Sequence, residues 1–189
     1  MKIEVVVETE LDKLLLETIL KAIPEAQEFE FRYFVANSRN RLSIVARTII
    51  VGVPHPLLVV MDADTNDPEL ARIRKQELES YLNWVTPAQP YRILVALPEL
   101  EIVFFADPSI VESKLKDGRK LTAVEQNLTQ SAPKQLLQSL ARERLLPDVT
   151  VLLSELTDDD ITKMSQHRLF QEVVSFLKSV APRQRSKAR

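Results

Sequence analysis

The apolar run Leu57-Leu58-Val59-Val60-Met61 ends abruptly in Asp62-Ala63-Asp64. Two acids at i and i+2 on an extended backbone point to the same side, so both can converge on one hard cation. A second edge of the same kind lies at the N-terminus, where Ile3-Glu4-Val5-Val6-Val7 runs into Glu8. If these strands are neighbours in one parallel sheet, Glu8, Asp62 and Asp64 meet at its C-terminal rim, where open α/β sheets keep their sites. One chemistry that calls for such a group is phosphodiester cleavage. It needs an activated water and neutralised charge on the leaving oxygen, which two Mg²⁺ or Mn²⁺ ions about 3.5–4 Å apart supply. Asp62 and Asp64 are the expected ligands. Glu8 is expected to share a metal or to act as general acid/base, its pKa raised by the neighbouring acids.

Elements able to position these acids are legible along the first half. After the strand Ile3–Val7, residues Leu11, Leu14, Leu15, Thr18, Ile19 and Ala22 recur at helical spacing up to Pro24. Phe29, Phe31 and Tyr33 alternate with Glu30 and Arg32 as a half-buried strand. Asn37 or Ser38 can cap a helix with Leu42, Val45, Ala46 and Ile49 inward, ending near Gly52 and Pro54. Asp67-Pro68 opens a third helix, with Leu70, Ile73, Leu78 and Leu82 expected inside. Tyr91–Ala96 is a fourth strand. This alternation predicts an α/β fold, a largely parallel sheet of about four strands flanked by helices. Residues 108–181 are expected to form a mostly helical extension packed on the core. Within it Ala123–Leu146 is interrupted by Pro133, Val149–Leu153 reads as an edge strand, and Leu156–Val180 reads as a helix capped by Thr157 or Asp158. A basic tail over 182–189 lacks apolar anchors and is expected to be disordered.

Composition narrows the function. The chain has 189 residues, 45% hydrophobic and 28% charged, enough for one sizeable core. It has no cysteine, which removes thiol catalysis and cysteine-ligated zinc. Two glycines cannot build a Walker A loop or a Gly-rich dinucleotide turn. No apolar stretch is long enough to span a bilayer, and acids interrupt any signal-like segment at the N-terminus, so no membrane partner and a cytoplasmic location are expected. A net charge of −2 gives no global attraction to nucleic acid, leaving local basic groups and metal to do so.

At the first strand–helix junction, Val5-Val6-Val7-Glu8-Thr9-Glu10-Leu11-Asp12 resembles the opening motif of TOPRIM domains. Those domains are shared by topoisomerases, primases and OLD-family nucleases. Asp62-Ala63-Asp64 resembles their Asp-x-Asp motif, and the order of elements agrees. Leu97-Pro98-Glu99-Leu100-Glu101-Ile102-Val103-Phe104-Phe105-Ala106-Asp107 is similar to a segment of stand-alone TOPRIM-like proteins related to OLD nucleases. The resemblance covers residues 1–107, the expected TOPRIM-like core. It implies a Rossmann-like TOPRIM fold, metal-dependent nuclease activity on DNA in preference to RNA, and a separate ATPase partner, since this chain has no nucleotide-binding loop. Glu101 becomes a further candidate metal ligand, and Asp12 a supporting acid. Thr9 stands where the family usually has glycine, and Asn66 where topoisomerases carry a third acid. Both departures argue against topoisomerase chemistry.

Plainer readings stand beside these. Asp64 and Asp67 could simply cap a turn and a helix, Glu8 could complement a helix dipole, and Glu99 and Glu101 could be solvated. Arg39 and Arg41, following strand two, are the candidate contacts to nucleic acid, ahead of the Lys114–Lys120 cluster and the tail. His55 reads as a loop residue, His167 as part of a polar helix stretch and Trp84 as packing. The rival to a nuclease is a non-catalytic TOPRIM-like module in a DNA-handling or phage-defence complex; a homo-oligomer is compatible with either. Receiver domains and glycosyltransferases place their acids or lengths differently.

Overall fold

A computed structural model describes residues 1–182. The tail from Arg183 onward, for which disorder is expected, lies outside the described residues. Four strands, β1 (Lys2–Val7), β2 (Glu30–Val35), β3 (Leu57–Asp62) and β4 (Tyr91–Ala96), form one sheet in the order β2-β1-β3-β4. Every pairing is parallel. β1 and β3 are central and covered on both faces, which is why they read as continuous apolar runs. Their side chains still alternate. Ile3, Val5, Val7, Leu58 and Val60 enter one hydrophobic cluster, and Val6, Leu57, Val59 and Met61 enter the other.

The second cluster is closed by α2 (Arg39–Gly52) and α3 (Pro68–Asn83). Ser38 caps α2 by accepting from the Arg41 amide, and Asp67 caps α3 by accepting from Glu69. The inward face of α3 carries Ala71, Leu78 and Leu82, whereas Leu70 and Ile73, expected inside, are exposed at 45% and 38%. Positions 71, 78 and 82 lie on one stripe at i, i+7 and i+11, and the tertiary contact chose that phase.

The first cluster is closed by α1 (Glu10–Leu20), by a 3-10 segment at Leu100–Phe105, and by the C-terminal helices. These are α4 (Pro108–Glu112), α5 (Ala123–Ser131), α6 (Pro133–Glu143), α7 (Thr150–Ser154), α8 (Asp158–Ser165) and α9 (Arg168–Val180). Leu136, Leu140, Phe170 and Phe176 share this core with Val5 and Val60, so the C-terminal helices form one wall of it. The strand expected over Val149–Leu153 is instead the helix α7. Leu152 and Leu153 are both buried there, a pairing that a strand would split between opposite faces. The single helix expected over Leu156–Val180 is broken at Gln166–His167. Thr157 starts α8 with a capping box, and His167 Nδ1 accepts from the Leu169 amide to start α9. Among the described residues no helix is long and apolar enough to cross a membrane.

Candidate metal centre

The strand order places a crevice between β1 and β3. The chain leaves β1 for one side of the sheet, through α1 on one face, and leaves β3 for the other side, through α3 on the opposite face. The helices diverge, and the space beyond the carboxyl ends of β1 and β3 stays open to side chains. Glu8 follows β1 and Asp62 ends β3. The Asp62 amide donates to Glu8 Oε1 at 3.2 Å, so Glu8 reaches the end of β3 at the shared rim, but it meets the Asp62 backbone and its carboxylate is not among the three that cluster with the Asp62 side chain.

Asp62 projects from the α1 side of the sheet. Its Oδ1 accepts from the Leu100 amide at 2.8 Å, which ties β3 to the buried 3-10 segment after β4. There it joins Asp12 and Glu101, and one carboxylate oxygen from each of the three lies within 4.8 Å of the others. All three acids are buried, Glu101 completely. The solvated reading of Glu101 is thereby excluded, because Leu100 to Phe105 are buried without exception. Asp12 is held by a capping box: its Oδ2 accepts from the Thr9 amide at 2.8 Å and its own amide donates to Thr9 Oγ1. Thr9, the residue that departs from the family pattern, is therefore the N-cap of α1 and orients an acid of the cluster.

Asp64 does not join this group. The extended backbone stops at Asp62, and Asp64 has φ +46°, so the i, i+2 rule that would aim both acids alike no longer operates. Its carboxylate is half exposed and lies 2.7 Å from Arg39 Nη1, on the α2 side of the rim. Arg39 Nη2 also donates to the Asp62 carbonyl at 3.4 Å. Arg41 is exposed on α2. Asn66, which could offer a carbonyl to a metal, instead donates from Nδ2 to the Ser131 carbonyl at 3.1 Å, tying the loop after β3 to the end of α5.

Lys134 is the group that the sequence reading missed. Pro133 opens α6, and Glu99 Oε2 accepts from the Lys134 amide at 3.0 Å, capping that helix from across the crevice. The Lys134 ammonium then reaches Glu101 Oε1 at 3.5 Å and Asp62 Oδ2 at 3.8 Å. A lysine in the first turn opposes the helix dipole, and that mismatch was a usable signal of another role. Asp12 had a signal too. It shares one helix face with Leu15, Leu16 and Ile19, all buried, and an acid on an apolar stripe needs a reason.

Burial dominates the electrostatics. Desolvation pushes Asp62 up to about 8, with Asp12 and Glu101 adding repulsion and Lys134 opposing. Burial also raises Asp12, against the Thr9 hydrogen bonds, and raises Glu101, against Lys134. Glu8 is raised by burial, countered by the Asp62 amide. Burial alone would lower Lys134, but Glu101, Asp62, Asp12 and Glu99 hold it above the usual lysine value.

The donor set fits a hard divalent cation. Asp12 Oδ1 and both oxygens of Glu101 are buried without a hydrogen-bond partner among the described residues. Three oxygens within 4.8 Å of one another are close to the span of an octahedral shell, about 4.2 Å between trans ligands at ~2.1 Å from the metal. One lysine does not compensate three carboxylates, so the cluster must take up protons or a cation.

No family model matches the chain, and no curated protein matches it. Among solved structures its fold matches the C-terminal region of the Burkholderia pseudomallei OLD protein, with a TM-score of 0.52 at 15% sequence identity. The match covers 94% of this chain and 96% of the other, so it runs through the C-terminal helices as well as the sheet. The chain thus has a TOPRIM-like α/β fold, similar to that of the C-terminal region of an OLD protein.

Proposed function

We propose that this chain is a Mg²⁺- or Mn²⁺-dependent nuclease that cleaves DNA phosphodiesters at the β1/β3 crevice. The observation that carries the reading is the buried trio Asp12, Asp62 and Glu101, with three carboxylate oxygens that accept no hydrogen bond among the described residues. These three residues would hold the cation, with Glu8 beside them. A divalent ion there supplies Lewis-acid polarisation of the phosphate and a more acidic bound water.

The chain's own groups do the rest. Glu8 is half-buried, and burial raises its pKa above the ordinary glutamate value, which suits it to general acid/base work. Lys134 and Arg39 flank the acids from the α6 and α2 sides and offset negative charge on an incoming phosphate. Asp64 orients Arg39 at the rim. By likeness to an OLD protein, the chain works with a separate ATPase.

A nicking assay with Mn²⁺ tests this, comparing wild type with Asp62→Ala and Glu101→Ala. Loss of cleavage in both variants, with folding retained, is the expected result. Equal cleavage in all three proteins rejects the site. One observation favours the alternative of a non-catalytic module: Lys134 already supplies a cation to Glu101 and Asp62. Calorimetric titration separates the two, because a non-catalytic module whose acids are satisfied by Lys134 and bound protons would show no heat of Mn²⁺ binding at millimolar concentration.

A further inference from the structure

We propose that the cleft between α2 and α3 is a track for single-stranded nucleic acid leading to the acidic rim; the proposal rests on the nuclease reading and gives it a substrate path. Both helices start at the rim, because each follows the carboxyl end of a parallel strand. Between them lies a hollow of about 460 Å³ walled by Arg39, Ser43, Met61, Arg74, Glu77 and Tyr81. Arg39 joins the hollow to the site, since the same guanidinium touches Asp64 and the Asp62 carbonyl.

Two observations identify the occupant. First, Arg74 Nη1 is buried without a hydrogen-bond acceptor among the described residues. A guanidinium donor withdrawn from water and left unpaired is costly; Arg74 lines the hollow, and by turning into it the side chain would gain a phosphate oxygen, the acceptor that suits its geometry. Second, aromatic faces continue the line away from the rim. The Arg47 guanidinium lies 4.8 Å from the centre of the Tyr81 ring, and the Tyr81 and Trp84 rings are 6.4 Å apart. Trp84 is 77% exposed, and with Tyr81 it borders a second hollow of about 450 Å³. Arg74 and Trp84 are ten residues apart, roughly 15 Å along the chain at helical rise.

Arginines leading to one open aromatic platform, Trp84, match a strand whose bases are free to stack. A duplex keeps its bases inside and cannot use Trp84. Glu77 borders both hollows and opposes an anion, which limits affinity and leaves the product free to depart.

Trp84 is the only tryptophan, so its emission reports on the track directly. The intact protein is titrated in EDTA with oligothymidylate, oligouridylate and a blunt DNA duplex. Single strands of either sugar are expected to quench Trp84, and the effect should fade with salt. Arg74→Ala should weaken binding roughly tenfold, the scale of one charge-assisted hydrogen bond. Glu77→Gln should tighten it. Trp84→Ala, a change at an exposed position, should weaken binding several-fold by anisotropy of a labelled strand. No quenching, unchanged affinity in both Arg74→Ala and Trp84→Ala, or equal quenching by duplex overturns the proposal. Because metal is absent, binding without any Mn²⁺-dependent cleavage rejects the nuclease reading alone, and cleavage without Trp84 quenching rejects the track alone.

Discussion

Lys134 and Glu101 form an ion pair, Nζ to Oε1 at 3.5 Å, in which the carboxylate is fully buried and the ammonium is about one-third exposed. The lysine comes from α6 and the glutamate from the segment after β4, so the pair fastens the C-terminal helices to the sheet at the crevice. The same ammonium also competes for the oxygens that a metal would use. Replacing Lys134 with methionine keeps most of its apolar stem and removes that competitor. Lys134→Met is expected to lower the melting temperature without metal, by about 1–3 kcal/mol of stability after allowing for its exposure. Calorimetry should show tighter Mn²⁺ binding. Weaker Mn²⁺ binding would mean that the lysine supports the cation site.

Asp62 and Asp64 should behave differently despite their spacing. Asp62→Ala removes a buried acid of the cluster and, on the proposed reading, is expected to abolish saturable Mn²⁺ binding. Asp64→Ala removes a half-exposed partner of Arg39 and should leave Mn²⁺ affinity within a few-fold of wild type. Comparable losses in the two variants would mean that Asp64 turns inward when the metal binds.

The raised acids make stability fall with pH. Asp62 has an ordinary value of 3.8 and is held near 8 in the fold, so between those values the native state binds more protons than the unfolded chain. Its stabilising contribution is complete below about pH 4 and is lost as pH rises through 8. Asp12, Glu101 and Glu8 shift in the same direction. Urea denaturation in EDTA should therefore give lower stability at pH 8 than at pH 5.5. On the proposed reading saturating Mn²⁺ should reverse that order, because a cation held by the trio would bind its ionised form. A metal-free protein more stable at pH 8 than at pH 5.5 would contradict the burial of this cluster.

At the opposite end of the sheet, Glu4 is wholly buried on β1, and its Oε1 lies 2.8 Å from His55 Nδ1. His55 lies in the loop before β3, as its place between two prolines predicts, and there it is the one hydrogen-bond partner of this carboxylate among the described residues; the other oxygen, Oε2, has none. His55→Ala strands a buried acid and should cost about 2–4 kcal/mol in urea denaturation. Mn²⁺ binding should be unchanged, since Glu4 lies within β1, four residues before Glu8, and outside the acidic trio.

The parallel sheet was readable because each layer of information agreed. Central strands buried on both faces appear as apolar runs, Ser38 and Asp67 stand where helices must start, and Pro68 fits a first turn. That Glu8 and Asp62 lie at one rim followed from topology, since both end neighbouring parallel strands, although Glu8 meets the Asp62 amide and not its carboxylate.

Local pattern alone determined those elements and the end of the sheet at which the acids lie. Tertiary structure decided which acids face one another. The positive φ at Asp64 turns it toward Arg39, the capping box on Thr9 aims Asp12 inward, and the buried 3-10 segment brings in Glu101. Lys134 arrives from a helix more than seventy residues beyond Asp62 in the chain, and no spacing rule links the two. Strand and helix periods act over a few residues and are written locally. The choice of partner across a crevice is set by packing between distant elements, and only the folded chain makes it.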